Sequence, residues 1–185
     1  MIVRMLALFA AAILAEPVSY DLTPIRLQAG VNPVQDIAGD GQNGSISLDW
    51  RENGNAWAYD IFMVRVGGSI ATIGDKDFIT DQPHTGEDAI RAVRFARGKH
   101  AGKSTTFALV ADRKIEEAVP DPAATTITIY ALVANEDGIG TPYHFVQAKQ
   151  LHSKRRYCNA HMALFTELRL PLPKSYDGLS SPDGC

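Results

Sequence analysis

The chain has 185 residues, of which 45% are hydrophobic, 18 are basic and 21 are acidic, giving a formal net charge of −3 at pH 7. This length predicts one ordinary domain with room for a hydrophobic core. The mildly acidic balance lacks the excess of positive charge that is typical of proteins binding nucleic acids or anionic membranes. We therefore expect no nucleic-acid partner.

The N-terminus has the pattern of a secretory signal peptide. Arg4 precedes an apolar run of 11 residues, Met5 to Ala15, which is too short for a membrane span of about 20 residues. We predict a signal peptide over residues 1–15 and one exported β-rich domain over residues 16–185, in a periplasm or outside the cell. A short buried helix in a cytoplasmic protein is the alternative interpretation.

The first motif after the N-terminus is DIAGDG, which begins at Asp36 and resembles part of a calcium-binding loop. Calcium prefers six to eight oxygen ligands, and Asp36 and Asp40 would supply carboxylates at positions one and five. Ala38 and Gly44 occupy positions where further oxygen ligands normally stand. A glycine-rich turn is the competing interpretation, with calcium kept as a hypothesis at Asp36 and Asp40.

A β-hairpin is predicted next, from Ser45 to Val66. SISLDW alternates apolar and polar residues, and Asn53-Gly54 is the dipeptide favoured in two-residue hairpin turns. Such a turn predicts a register that places two tryptophans in the core on one apolar face. The predicted pairs are Trp50 with Trp57, Leu48 with Tyr59, and Ile46 with Ile61.

The segment Glu87 to Arg113 is ambiguous between a helix and a hairpin, and we favour the hairpin because its neighbours are β-rich. Within it, GKHAGKST resembles a phosphate-binding loop, but only three residues separate its glycines where four are needed. We interpret it as a hairpin loop. A further hairpin is predicted from Thr125 to about Lys149, with its first strand covered on both faces and Pro142 at the start of the second.

A basic cluster follows this hairpin, formed by Lys149, Lys154, Arg155 and Arg156. It is a hypothetical binding patch for an anion or a protein partner, with a solvated charged face as the alternative. Nearby, His152, Cys158 and His161 are residue types that bind zinc or copper, and His144 is a possible fourth member. Their spacing is irregular, so we expect ordinary histidines instead.

The C-terminal part predicts one helix and one disulfide. NAHMALFTELRL, Asn159 to Leu170, has an N-cap asparagine and is followed by Pro171. Residues 170–185 are rich in Pro, Gly and Ser and predict an irregular tail. The chain has two cysteines, and in an exported protein Cys158 and Cys185 are expected to pair and fasten that tail.

These patterns together predict a mainly β fold, an antiparallel sandwich or curved meander with one short C-terminal helix. The sequence contains none of the catalytic motifs of the common hydrolases. Our leading hypothesis is an exported, non-enzymatic domain that binds a partner protein or envelope component, as an inhibitor, immunity-type or accessory protein. The alternatives are a small hydrolase or metal-dependent enzyme with residues from distant loops, and a carbohydrate-binding module.

Overall fold

The computed structural model describes residues 21–52, 54, 58–83 and 88–185. The predicted signal peptide therefore lies outside the described residues. These ranges contain eleven strands and one helix. The strands are β1 Thr23–Ile25, β2 Gly30–Val34, β3 Gly44–Arg51, β4 Tyr59–Val66, β5 Ser69–Ile70, β6 Thr72–Ile73, β7 Ile79–Thr80, β8 Arg91–His100, β9 Lys103–Arg113, β10 Ala123–Ala134 and β11 Tyr143–Tyr157, and the helix is α1 Ala160–Leu168.

The strands form two sheets. The larger has the order β1-β8-β9-β10-β11-β6, and the smaller has the order β2-β3-β4-β5 with β7 also paired to β4. All pairs are antiparallel except β11 with β6. The predicted mainly β fold with a single short helix is confirmed. In the described ranges, no helix has the length and apolar character needed to cross a membrane.

The central strands of the larger sheet are covered on both faces. Along β9, Phe107, Leu109 and Ala111 pack toward α1 and the C-terminal tail, whereas Ala108 and Val110 belong to the layer shared with the smaller sheet. This double burial explains why TTFALVA is a nearly continuous apolar run, since neither face of the strand meets water. Across the layer between the sheets, the rings of Phe62 and Phe95 lie 5.6 Å apart between centroids.

The first predicted hairpin exists as β3 and β4, but its predicted register is wrong. Ile46 pairs with Val64 and Leu48 with Phe62, a shift of three residues from the expected pairing. The strands end at Arg51 and resume at Tyr59, so their connection is longer than the two residues Asn53-Gly54. The odd shift exchanges the faces of β4.

Burial of large side chains explains this register. In YDIFMVRV, the even-numbered residues Asp60, Phe62, Val64 and Val66 are buried and the odd-numbered ones are only half-buried. Facing three large apolar residues toward the core outweighs the local turn preference. Trp50, which was expected in the core, is instead 55% exposed, and Trp57 lies outside the described residues.

The other two hairpins are confirmed. β8 and β9 meet at Ala101 and Gly102, whose positive φ angles of 48° and 80° suit a two-residue turn. GKHAGKST therefore forms this hairpin turn and the strand ends on either side of it. β10 and β11 form the longest pair, and Pro142 immediately precedes β11.

The predicted helix and disulfide are also confirmed. Asn159 caps α1 by accepting a hydrogen bond from the His161 N–H, and the helix ends before Arg169, which has a left-handed conformation. Cys158 and Cys185 form a disulfide with their Cα atoms 5.1 Å apart. Residues 170–185 contain no helix or strand, yet Leu170 is buried against α1 and the larger sheet. The disulfide therefore fastens an irregular segment that packs on the core.

Candidate functional site

A cleft of about 790 Å³ opens where β1, β4, β8, α1 and the C-terminal tail meet. Its walls are mostly apolar and aromatic, and a cluster of ionisable side chains lines its deepest part. We call this cluster the acid–base cluster, and it consists of Asp60, Asp81, Arg94 and His161. The apolar and aromatic wall includes Ile25, Leu27, Leu48, Trp50, Phe62, Pro83, Phe95, Leu170, Pro171, Leu172 and Tyr176.

Two carboxyl groups lie side by side in this cluster. Asp60 stands at an inward position of β4, and Asp81 follows β7, the short strand that pairs with β4. The Asp60 N–H donates to Asp81 Oδ1 at 2.9 Å, and the Asp81 N–H donates to the Asp60 carbonyl oxygen at 3.3 Å. Only 8% of Asp60 and 3% of Asp81 is exposed. Pairing of β7 with β4 therefore fixes both carboxyl groups away from bulk water.

Burial changes the protonation of this pair. Loss of hydration raises the pKa of Asp81 to about 8, and the negative charge of Asp60 and a hydrogen bond between the two carboxyl groups act in the same direction. The hydrogen bond from the Asp60 N–H and the positive charge of Arg94 oppose the rise without cancelling it. This raised pKa favours the protonated form of Asp81 at neutral pH.

Arg94 and His161 complete the cluster. An Arg94 guanidinium nitrogen lies 2.7 Å from His161 Nδ1, and a second one donates to the Val93 carbonyl oxygen at 2.6 Å. Because a guanidinium only donates, Nδ1 is the acceptor, and the neutral imidazole carries its proton on Nε2. Burial and the charge of Arg94 hold the pKa of His161 well below its ordinary value near 6.5. Burial also lowers the pKa of Arg94 to about 10, which leaves it charged.

The C-terminal tail forms one wall beside this cluster. The rings of His161 and Tyr176 meet edge to face with centroids 6.1 Å apart. Burial and the nearby Asp177 raise the pKa of the Tyr176 hydroxyl. The Cys158 N–H also donates to the Asp183 carbonyl oxygen at 3.0 Å, next to the disulfide. The disulfide and this hydrogen bond fasten the end of the segment that carries Tyr176.

The predicted calcium ligands lie outside the cleft, in a surface turn. Asp36 Oδ1 accepts from the Gly41 N–H at 2.6 Å. Asp40 Oδ1 accepts from the Gln42 N–H at 3.0 Å, and its Oδ2 accepts from the Tyr143 hydroxyl at 2.6 Å. Both carboxylates thus have hydrogen-bond partners within the protein, as the turn interpretation requires. The calcium hypothesis itself stays untested.

The glycines of this turn have a structural role. A Cβ atom on Gly39, which has a φ of 76°, would collide with the Ser104 carbonyl oxygen at the start of β9. Arg97 on β8 holds the same turn by donating to the Asp36 and Ile37 carbonyl oxygens at 2.7 and 2.9 Å. The DIAGDG motif therefore docks a turn onto the larger sheet.

The predicted histidine and cysteine ligands are not brought together. His144 and His152 stand on β11 opposite Val133 and Thr126, eight positions apart, and His161 lies in the acid–base cluster. Cys158 is consumed by the disulfide. Over the residues that the structure describes, no group of three or more His, Cys, Asp or Glu side chains is arranged to hold a metal ion.

The basic cluster lies on β11, away from the walls of the cleft. Lys154, Arg155 and Arg156 are exposed, and Lys149 is half-buried. Arg156 donates to the Pro122 carbonyl oxygen at 2.8 Å and forms an ion pair with Glu116 at 3.3 Å. Arg156 therefore contributes to the folded structure, and the role of this patch in binding stays a prediction.

Sequence reasoning missed Asp60, Asp81 and Arg94. One signal was present: YDIFMVRV places Asp60 in the same alternation as Phe62 and Val64, which predicts a buried carboxylate once the correct register is known. Arg94 stands between Val93 and Phe95 in a buried strand. Asp81 carries no comparable local signal, since it reaches the cluster only through the pairing of β7 with β4.

The fold defines a class of two-sheet, antiparallel β-domains with a helix and an ordered tail packed on the larger sheet. No protein-family model and no curated protein matches the chain. Among solved structures, the chain is similar to the crystal structure of a protein named CarG, with 24% sequence identity and a TM-score of 0.62. The match covers 77% of this chain and 93% of CarG. This likeness concerns the fold alone.

Proposed function

We propose that this protein is an exported, non-enzymatic binding domain and that it holds a small organic molecule in the cleft. The acid–base cluster at the base of the cleft is the observation that carries the proposal. Small-molecule sites are typically concave and largely apolar, with a few polar groups that fix the orientation of the ligand. Two buried carboxyl groups, a guanidinium and a neutral imidazole around an apolar cleft fit this description.

Export is supported by the disulfide. Disulfides persist in oxidising compartments and are rare in the cytosol of most organisms. The bond between Cys158 and Cys185 therefore favours a periplasmic or extracellular location. The test is the state of these two thiols in protein recovered from its native compartment, where finding both reduced would contradict export.

A screen of small-molecule fragments tests ligand binding, with melting temperature as the readout. Ala29 is exposed and lines the cleft, so Ala29→Trp should obstruct the cleft without touching the acid–base cluster. Ala118→Trp is the matched control, because Ala118 is exposed on a loop outside the cleft. We expect fragments that raise the melting temperature of the wild type to raise that of Ala118→Trp as well. The same fragments should leave the melting temperature of Ala29→Trp unchanged. Fragments that act equally on both variants would contradict the proposal.

A small hydrolase is the second candidate, and the hydrogen bond between the two carboxyl groups favours it. Two aspartates that share one proton can act as an acid and a base on a bound water, as in aspartic proteases. Asp81 would be the acid and Asp60 the base. The test is turnover of ester, amide or glycoside substrates. Turnover that is lost in Asp81→Asn and retained in Asp112→Asn would support a hydrolase over simple binding.

The carbohydrate-binding alternative keeps one supporting observation. Trp50, 55% exposed, lies at the cleft wall, where an aromatic ring can pack against a sugar. Binding of neutral oligosaccharides that is lost in Trp50→Ala would support it. Phe78→Ala is the control, since Phe78 is also exposed and does not line the cleft.

A further inference from the structure

The C-terminal tail is held to the body of the protein at both of its ends. Leu170 at its start is buried against α1 and the larger sheet, and Cys185 at its end is bonded to Cys158. Between these points, residues 170–177 line the cleft in one unbroken run. A chain segment held at two points stays on the surface beneath it, whereas a segment held at one point can swing away. The disulfide therefore controls whether the outer end of this wall is fixed.

Close contacts at the outer end of the tail gather around the bridge. The Cys158 N–H donates to the Asp183 carbonyl oxygen at 3.0 Å. A Cβ atom on Gly184 would lie 2.9 Å from the side chain of Met162, so this part of the tail packs directly on α1. These contacts depend on the position that the bridge gives to the last residues of the chain.

The tail shields the acid–base cluster through Tyr176. Its ring meets the ring of His161 edge to face at 6.1 Å between centroids, and His161 is only 8% exposed. The Tyr176 hydroxyl donates to the Leu179 carbonyl oxygen at 2.8 Å, which ties this ring to the outer half of the tail. Displacement of the outer half would therefore draw Tyr176 away from His161 and open the cluster to water.

We propose that the disulfide is a redox switch for the cleft: its formation closes the tail over the acid–base cluster, and ligands bind more tightly in that oxidised state. The inference rests on the proposed function, since it names the regulation of the same cleft. Thiols are kept reduced in the cytosol, so a precursor that has not been exported would have an open cleft. Export to an oxidising compartment would then complete the wall and make the cleft competent to bind.

Closure of the bridge is a thiol–disulfide exchange with a disulfide oxidant. The thiolate of Cys185, an exposed residue, attacks one sulfur of the oxidant and releases the other sulfur as a thiolate. The Cys158 thiolate then attacks the Cys185 sulfur of this mixed disulfide and releases the second thiolate. The cysteines lose two electrons to the oxidant, and their two protons pass to the released thiolates. A dithiol reverses both steps and reopens the tail.

The first experiment measures opening of the wall with diethyl pyrocarbonate, which transfers an ethoxycarbonyl group to an unprotonated imidazole nitrogen. The wild type is compared at pH 7 before and after reduction by dithiothreitol, which is removed under exclusion of oxygen. We expect His161 to react at least about tenfold faster in the reduced protein, as read by peptide mass spectrometry. His152, exposed on β11, is the matched control and should react at the same rate in both states.

A variant removes the bridge without a reductant. Cys185→Ala changes an exposed residue, and its His161 should react as fast as in the reduced wild type. Ser180→Ala, at another exposed position of the tail, retains the bridge and should match the oxidised wild type. The amide of Leu109, paired with Ile129 in the middle of the larger sheet, should stay protected from hydrogen exchange throughout, because the opening is local.

The second experiment measures binding. Its probes are the fragments that raise the melting temperature of the oxidised wild type and leave that of Ala29→Trp unchanged. We expect calorimetry to show their affinity at least about tenfold weaker for Cys185→Ala, a difference of about 1.4 kcal/mol. Their affinity for Ser180→Ala should equal that for the wild type.

The outcomes separate the two proposals. Equal reactivity of His161 in the oxidised and reduced protein, or equal fragment affinity for Cys185→Ala and Ser180→Ala, would overturn the redox switch and leave a ligand-binding cleft in place. Loss of Leu109 amide protection on reduction would overturn it as well, since the opening would then be global unfolding. If the screen finds no fragment sensitive to Ala29→Trp, the proposed function is wrong and the switch fails with it.

Discussion

The protein contains two sets of residues with nearly the same composition and very different environments. Asp36, Asp40 and Arg97 form a surface turn, and Asp60, Asp81 and Arg94 lie at the base of the cleft. In the turn, the carboxylates accept hydrogen bonds from nearby backbone N–H groups and from a tyrosine hydroxyl. In the cleft, they are removed from water and placed against each other.

This difference shows that residue type and spacing do not by themselves define a reactive or binding site. The turn attracted attention because its aspartates are close in the sequence. The cleft pair is separated by 21 positions and is brought together by strand pairing. Burial then raises the pKa of one carboxyl, and groups with such shifted pKa values tend to cluster at functional sites.

The largest expected effect comes from removing the cation of each set. Arg94→Met should lower the free energy of unfolding by about 3–5 kcal/mol, because it removes a positive charge that interacts with the buried Asp81 and Asp60. Arg97→Met should lower the free energy of unfolding by about 1–3 kcal/mol, since it removes hydrogen bonds to two carbonyl oxygens near the surface. Urea unfolding at pH 7 measures both. Equal losses would show that the two sets do not differ in the way proposed.

The next effect concerns the tail that walls the cleft. Replacing Cys158 and Cys185 with alanine should lower the free energy of unfolding by about 3 kcal/mol, because the bridge spans 27 positions and restricts the unfolded chain. Urea unfolding of the double variant and the wild type measures this loss. A loss below about 1 kcal/mol would mean that the packing of Leu170 and Tyr176 fastens the tail without the bridge.

Another effect should appear in the pH dependence of stability. The pKa of Asp81 rises from 3.8 to about 8 on folding, so the folded state binds the proton more tightly and its contribution to stability declines as pH rises from about 4 to about 8. Asp81→Asn lacks this titration. We expect the difference in melting temperature, variant minus wild type, to increase over that pH range.

Asp40→Asn is the control for this experiment, because Asp40 lies in the surface turn. Its melting temperature should run parallel to that of the wild type between pH 5 and pH 8. A constant difference for Asp81→Asn, or a slope of the opposite sign, would refute the protonated state assigned to the cleft pair.

The smallest effects are expected in the surface turn. Asp36→Asn and Asp40→Asn should each lower the free energy of unfolding by about 0.5–1.5 kcal/mol, the usual contribution of one hydrogen bond. We also expect the melting temperature in calcium to match that in a chelator, since the carboxylate oxygens already have partners. A rise of several degrees in calcium, lost in Asp36→Asn, would instead establish the calcium site.

Local signals explain how much of the fold was predictable. The Asn159 cap, the turn at Ala101-Gly102 and the start of β11 after Pro142 all depend on residues within a few positions of one another. The predicted register of β3 and β4 was wrong because the preferred turn at Asn53-Gly54 competes with burial of Phe62, Val64 and Val66. Distant layers of the core decide that competition.

The sequence by itself determined several of the elements: the long alternating strands, a capped helix and a pair of cysteines. The tertiary structure decided which of these elements lie together. The acid–base cluster combines Asp60 from β4, Asp81 from the segment after β7, Arg94 from β8 and His161 from α1. Only packing brings these residues together away from bulk water. Desolvation depends on every neighbour that surrounds a group, so the acid–base cluster is a property of the folded molecule and of no single motif.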